Sequence, residues 1–205
     1  MYPDILALSI FLFVGAFSPG PNNLLASYSG FNFGIKKTLP LIYGVTFGFP
    51  IVLIAVNSGL AIAFNKFPLF QDVLKILGSV FLIYMAYKIA VGSKSEEKEI
   101  KNPAKFFNMI VFQFINPKAV LIAIITVSTF ISQNENFIRD SIIVVGFAIF
   151  FSFTSIMSWS LLGKFLRRFA NNEKFLKLYN YVMSFLLIIC VIMFYVFGFY
   201  KFKKL

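Results

Sequence analysis

The sequence predicts an all-α integral membrane protein of six transmembrane helices. They form two inverted three-helix repeats, with helices one and four broken near the midplane. Three observations predict this. The 205 residues are 59% hydrophobic and 13% charged, with a mean hydropathy of +0.84; a soluble domain carries about 25% charged residues. A soluble fold of this length would have too few charges to cover its surface, and disorder, coiled coil and collagen are excluded by the same figures. The charges fall between apolar runs that are each long enough to cross a hydrocarbon core about 30 Å thick. Two of those runs are interrupted by proline near their centres.

The runs follow in order. The chain opens Met1-Tyr2-Pro3-Asp4 without a basic n-region or a small-residue cleavage signal, so the first apolar stretch reads as a retained span. Residues 5–35 are uncharged, as are 38–65. A third span covers about 70–92, with Lys75 and Lys88 near enough to its ends to snorkel. The polar stretch Lys94–Lys105 then divides the chain into repeat one, about 1–93, and repeat two, about 106–205, within a single transmembrane domain, 1–205. The fourth span covers about 106–131 with one charge, Lys118, in its middle, and residues 141–163 and 178–200 are uncharged. The acidic residues Asp4, Asp72, Glu135 and Asp140 lie at the span edges. Three spans per half is an odd number, so the second half is inverted, an architecture of secondary transporters. Leu41-Ile42-Tyr43-Gly44-Val45 and Val144-Val145-Gly146-Phe147 echo one another weakly across the halves.

The net charge of +11 would suggest nucleic acid in a soluble chain. Here it reads as topology, because Lys and Arg accumulate in cytoplasmic loops. With the N-terminus outside, twelve of the 19 basic residues fall on the inner side and six on the outer, and Lys118 completes the set. The basic tail Lys201-Phe202-Lys203-Lys204 opposes this orientation. The inner charge would also attract anionic lipid. There is no histidine, and Cys190 is the one cysteine, placed in an apolar run as a small hydrophobe. Most metal sites and His-based catalysts are thereby excluded. No cofactor or metal and no enzymatic activity are expected.

The first interruption is Ser18-Pro19-Gly20-Pro21-Asn22-Asn23. Each proline lacks an N–H and excludes the α conformation from the residue before it. A proline kink is the plainer alternative, but two prolines around a glycine, followed by two asparagines, exceed what a kink needs. The second interruption is Gln113-Phe114-Ile115-Asn116-Pro117-Lys118. Asn116 suits an N-cap and Pro117 a first helical residue. A half-helix starting there points free amides and a positive dipole end at the midplane. Lys118 adds a full charge at the same place, about 20 Å from either interface and beyond snorkelling reach. No acidic residue lies within a span to pair with it, so a site for an anion such as a carboxylate fits best. The candidate substrate-binding residues are Pro19, Gly20, Pro21, Asn22, Asn23, Asn116, Pro117 and Lys118.

Other features are less specific. Gly30-x-x-x-Gly34 and Gly44-x-x-x-Gly48 permit close helix contact, within the fold or at a dimer seam. Asn57, Ser58, Ser152, Thr154, Ser155 and Ser158 line a polar path or bond back to their own helix. Trp159, Tyr179, Tyr181, Tyr195 and Tyr200 read as packing or interface anchors.

At four places the sequence resembles the LysE/RhtB family of amino-acid exporters. Pro19-Gly20-Pro21-Asn22 is similar to its first-helix signature, and Gly44 and Gly48 to its second-helix glycines. The stretch Leu74-Lys75-Ile76-Leu77-Gly78-Ser79-Val80-Phe81-Leu82-Ile83-Tyr84-Met85-Ala86-Tyr87-Lys88 is similar to its third-helix pattern, and Asn116-Pro117-Lys118 to its fourth-helix motif. The spacing also fits, over roughly 5–200. The resemblance implies a multi-pass carrier of the cytoplasmic membrane that exports an amino acid or derivative, driven by an ion gradient. Its partners would be a carboxylate-bearing small molecule and membrane lipid, not nucleic acid. A homo-oligomer stays open, as does the alternative of an exporter or channel for an inorganic ion.

Overall fold

The computed structural model describes residues 4–60, 66, 68–91, 104–132 and 135–201. The dividing stretch predicted at 94–105 and the basic tail lie largely outside them. The described chain forms seven α-helices, joined by turns and short π- and 3₁₀-helical pieces. By length and composition three helical segments can cross a membrane, Pro21–Gly59, Phe137–Phe169 and Glu173–Ile192, and a bent pair over 106–130 makes a fourth. Large apolar side chains stay exposed on these helices, among them Leu6, Phe107, Ile138, Ile142 and Phe185. Such a surface suits lipid and not water. The chain is a multi-pass membrane protein.

α1 runs Ile5–Phe17, with Asp4 as N-cap accepting a bond from Ala7 N at 3.0 Å. It stops because Pro19 holds Ser18 extended, at φ −60° and ψ 142°. α2 runs Pro21–Ala55, starting on a proline at its first position. Gly34, at φ 73°, lies in the left-handed region and turns α2 back on itself. The hydroxyls of Ser29 and Thr38 are 2.9 Å apart. In a straight helix nine residues would separate them by about 13 Å. α2 is therefore two arms, 21–33 and 35–55. The turn falls at the end of the first uncharged run, two residues before Lys36 and Lys37, where the sequence places a boundary.

α3 runs Pro68–Val91, α4 Phe106–Ile115, α5 Pro117–Phe130, α6 Phe137–Leu166 and α7 Glu173–Lys201. α4 and α5 meet at 69°. α1 (Ile5–Phe17) and Ile76–Val91 in α3 are shorter apolar helices. α6 lies at the centre. It follows α1 in the same direction, with Phe13 beside Phe151 at 6.3 Å between ring centroids and Ala16 O bonded to Ser155. It opposes the second arm of α2, where Val45 faces Ser152, and the π-helical piece Val56–Leu60 that follows it, where Asn57 faces Ser141. α3 and α7 form an outer pair joined by Ser184 Oγ donating to Ala86 O at 2.9 Å.

Two apolar cores result. One gathers Leu24, Ile42, Leu82, Met109, Tyr179 and Leu187, with Cys190 inside it. The other gathers Leu8, Leu12, Val52, Ala123 and Val144. The two helix breaks lie between them.

One expectation is corrected. α6 begins at Phe137, before the uncharged run, so Asp140 lies in its first turn and is fully buried. Its carboxylate accepts bonds from Ser132 N, Ser132 Oγ and the Arg139 guanidinium. The local partners make that burial tolerable, and a count of charges along the chain does not show them.

Candidate substrate site at the facing helix breaks

The breaks predicted in spans one and four face one another. α1 and α5 cross in opposite directions, with Phe11 near Phe130, Gly15 beside Ile122 and Gly20 beside Lys118. Beyond the breaks Asn22 reaches Gln113 on α4. Gly20 is extended, at φ −174°, and a Cβ placed there would sit 2.9 Å from Lys118 Nζ. Its bare backbone lets the lysine head come this close.

Breaking a helix in lipid strands its last carbonyls, and each left unpaired costs several kcal/mol. Here all are satisfied. Val14 O accepts from Ser18 N and Gly15 O from Ser18 Oγ. Ala16 O accepts from Asn23 Nδ2 at 2.7 Å and from Ser155 Oγ at 2.8 Å. Phe17 O accepts from Trp159 Nε1 at 3.3 Å. Ser18 O accepts from Asn23 Nδ2 at 2.9 Å and from Lys118 Nζ at 2.8 Å. Lys118 Nζ also donates to Ser18 Oγ at 2.9 Å and to Pro19 O at 3.4 Å. The cation thus rests on the negative end of the α1 dipole, which partly offsets its burial. The charge is not as isolated as a search for carboxylates implies.

The opposite helix ends supply positive poles. Asn116 caps α5, its Oδ1 accepting from Lys118 N at 3.2 Å. α2 has only Gly20 at its N-cap, and Pro21 has no N–H, so the first amides it presents are those of Asn22 and Asn23. A cavity of about 60 Å³ opens here, room for a few waters at about 10–15 Å³ each. Gly20, Pro21, Asn22, Asn23, Asn116 and Lys118 all line it, with Ser152 and Ser155 of α6 and an apolar wall that includes Ile122, Phe49 and Phe151. Pro19 contributes its carbonyl, and Pro117 starts α5 without lining the cavity. Six of the eight predicted site residues therefore line one cavity, and Pro19 and Pro117 adjoin it in sequence. The side chains of Asn22 and Asn23 are engaged by Gln113 and by the α1 carbonyls, so their backbone amides are the groups left for a ligand.

Of the four α6 hydroxyls that the sequence offers for a polar path, Thr154 and Ser158 bond back to their own helix. Ser155 and Ser152 turn toward α1 and α2. Gln113, Ser18 and Trp159 were not expected in the site. Gln113 and Ser18 flank the two motifs, whereas Trp159 gives no local signal.

The match to known proteins covers the same elements. The family model for LysE type translocators matches residues 13–198. The chain belongs to the LysE type translocator family. This translocator is 28% identical over 198 residues to the cysteine/O-acetylserine efflux protein of Salmonella paratyphi A, covering 94% of this chain and 98% of that one. It is 25% identical over 197 residues to the protein of that name from Escherichia coli K12, with the same coverage. No solved structure shows a significant match to the translocator.

Proposed function

We propose that the chain exports an amino acid or close derivative across the cytoplasmic membrane, with six helices in two inverted repeats rocking about the facing breaks. Relatives along its whole length are efflux proteins for cysteine and O-acetylserine, so a small neutral amino acid is the first substrate to test. The observation that carries the reading is Lys118 at the crossing of two broken helices, beside the amides of Asn22 and Asn23. An ammonium has three donors. Lys118 directs them at Ser18 O, Ser18 Oγ and Pro19 O, the last at 3.4 Å. A substrate carboxylate replaces the weakest of these bonds and takes the α2 amides as well. The proton motive force is the driving gradient in this reading.

Replacement of Lys118 by Met keeps most of the length of the side chain and removes its charge. Cells preloaded with cysteine or O-acetylserine should lose at least about tenfold of their efflux rate, the effect of about 1.4 kcal/mol, with membrane insertion unchanged. Unchanged efflux would remove Lys118 from the site.

A further inference from the structure

The cavity is walled by α1, α5, α6 and the second arm of α2 on the Leu12 and Ile122 side of the breaks, and by Pro21, Asn22 and Asn23 at the start of the first arm of α2. On the other side the first arm of α2 meets α4 through a pair of amides. Asn22 Nδ2 donates to Gln113 Oε1 at 2.7 Å, and Gln113 Nε2 donates back to Asn22 Oδ1 at 3.2 Å. Gln113 Nε2 also donates to Met109 O at 2.9 Å, and the side chain is fully buried. It is held from behind by Gly48, where an added Cβ would lie 2.8 Å from Gln113 Cγ. Beyond this clasp lies the end of the molecule that carries Lys36, Lys37 and Arg167, since Gly34 lies 3.9 Å from the Arg167 guanidinium, measured from a Cβ built on the glycine.

We infer that Asn22 and Gln113 form the gate that closes the substrate site toward this basic end. The inference rests on the transporter reading. The chemistry suits a gate. Two neutral amides exchange their mutual bonds for bonds to water at small net loss once water reaches them. Away from the Lys118 seat, the contacts between α1 and α5 offer no such exchange, because they are apolar: Gly15 on Ile122 and Phe11 near Phe130. The clasp also joins the two broken helices directly, so a rocking motion that separates the first arm of α2 from α4 must break it.

Cys190 is the one cysteine, which makes a labelling test direct. In a Cys190→Ser background, Ala148→Cys reports on the cavity, and Lys37→Cys in a separate chain marks the membrane face that the basic end occupies. A membrane-impermeant maleimide is applied to vesicles from each face. Gln113→Met keeps most of the volume against Gly48 and removes the amide. It should raise Ala148→Cys labelling from the Lys37 face about tenfold, the worth of two neutral hydrogen bonds, and leave labelling from the other face unchanged. Gln113→Glu retains the bond from Asn22 Nδ2 and should give a smaller rise. Unchanged labelling from the Lys37 face in both variants overturns the gate. An equal rise from both faces also overturns it, because that marks general loosening. Labelling needs no substrate, so the two readings fail separately. Intact efflux with unchanged labelling removes only the gate, and absence of efflux in the unmodified protein removes the transporter.

Discussion

Pro19 and Pro21 stop one helix and start another within four residues, and the six carbonyls from Val14 to Pro19 all find donors. Lys118 is one of those donors. A Cβ on Gly20 would sit 2.9 Å from Nζ and 3.0 Å from Cδ, both on a flexible side chain. Gly20 is extended, so alanine meets no backbone strain there. Gly20→Ala should therefore push the ammonium off its seat and lower efflux several-fold. Stability should change by no more than about 0.5 kcal/mol. Thermal unfolding in detergent and an efflux assay on one preparation check both parts. At this scale Lys118 and both proline motifs were legible, because their chemistry is wrong for lipid unless something answers it. Asn23, Ser155 and Trp159 were not legible as partners of α1, since their role depends on which carbonyls lie opposite.

Among the helices, glycines decide how closely α6 seats against the first arm of α2. A Cβ on Gly163 would collide with Ser27 O, and one on Gly30 with Ser160 O. Both contacts are backbone, so the helices themselves must move. Gly163→Ala should cost about 1–3 kcal/mol, as overpacking does. Gly146 has nothing within 4 Å of its Cβ position, so Gly146→Ala on the same helix should be near neutral in the same melt. The second-helix glycines act likewise, with Gly44 against Phe106 O and Gly48 against Ile110 Cα. These are contacts within the fold, the first of the two readings open from sequence. Gly34 serves a different purpose from Gly30 despite the shared motif, because its positive φ makes the turn. Spacing alone does not separate a glycine needed for contact from one needed for conformation.

At the scale of the whole molecule, the breaks divide two apolar cores and two unlike ends. Lys36, Lys37, Lys164, Arg167 and Arg168 flank the Gly34 turn and the end of α6, on one side of the site. Asp4 and the buried Asp140 lie on the other. If the basic end faces the cytoplasm, as positive residues favour, Lys37→Cys should react with an impermeant reagent only from the inner face. Glu135→Cys should react only from outside. The reverse pattern would invert the orientation read from the 12:6 division of charge. Proteoliposomes with an imposed pH gradient test the driving force. Efflux that follows the gradient supports proton antiport, and efflux indifferent to it excludes antiport.

Local chemistry along the chain suffices to place it in lipid, to break its helices at two places and to set a lysine at one of them. Each follows from local chemistry: too few charges, missing N–H groups, and a cation with no near neighbour of opposite sign. Tertiary structure decided that the two breaks face each other. It decided that the lysine rests on carbonyls of the other half of the chain, and that Asn22 and Gln113 close one side of the cavity. Those contacts join residues about a hundred positions apart, and only the packing of the helices brings them within reach.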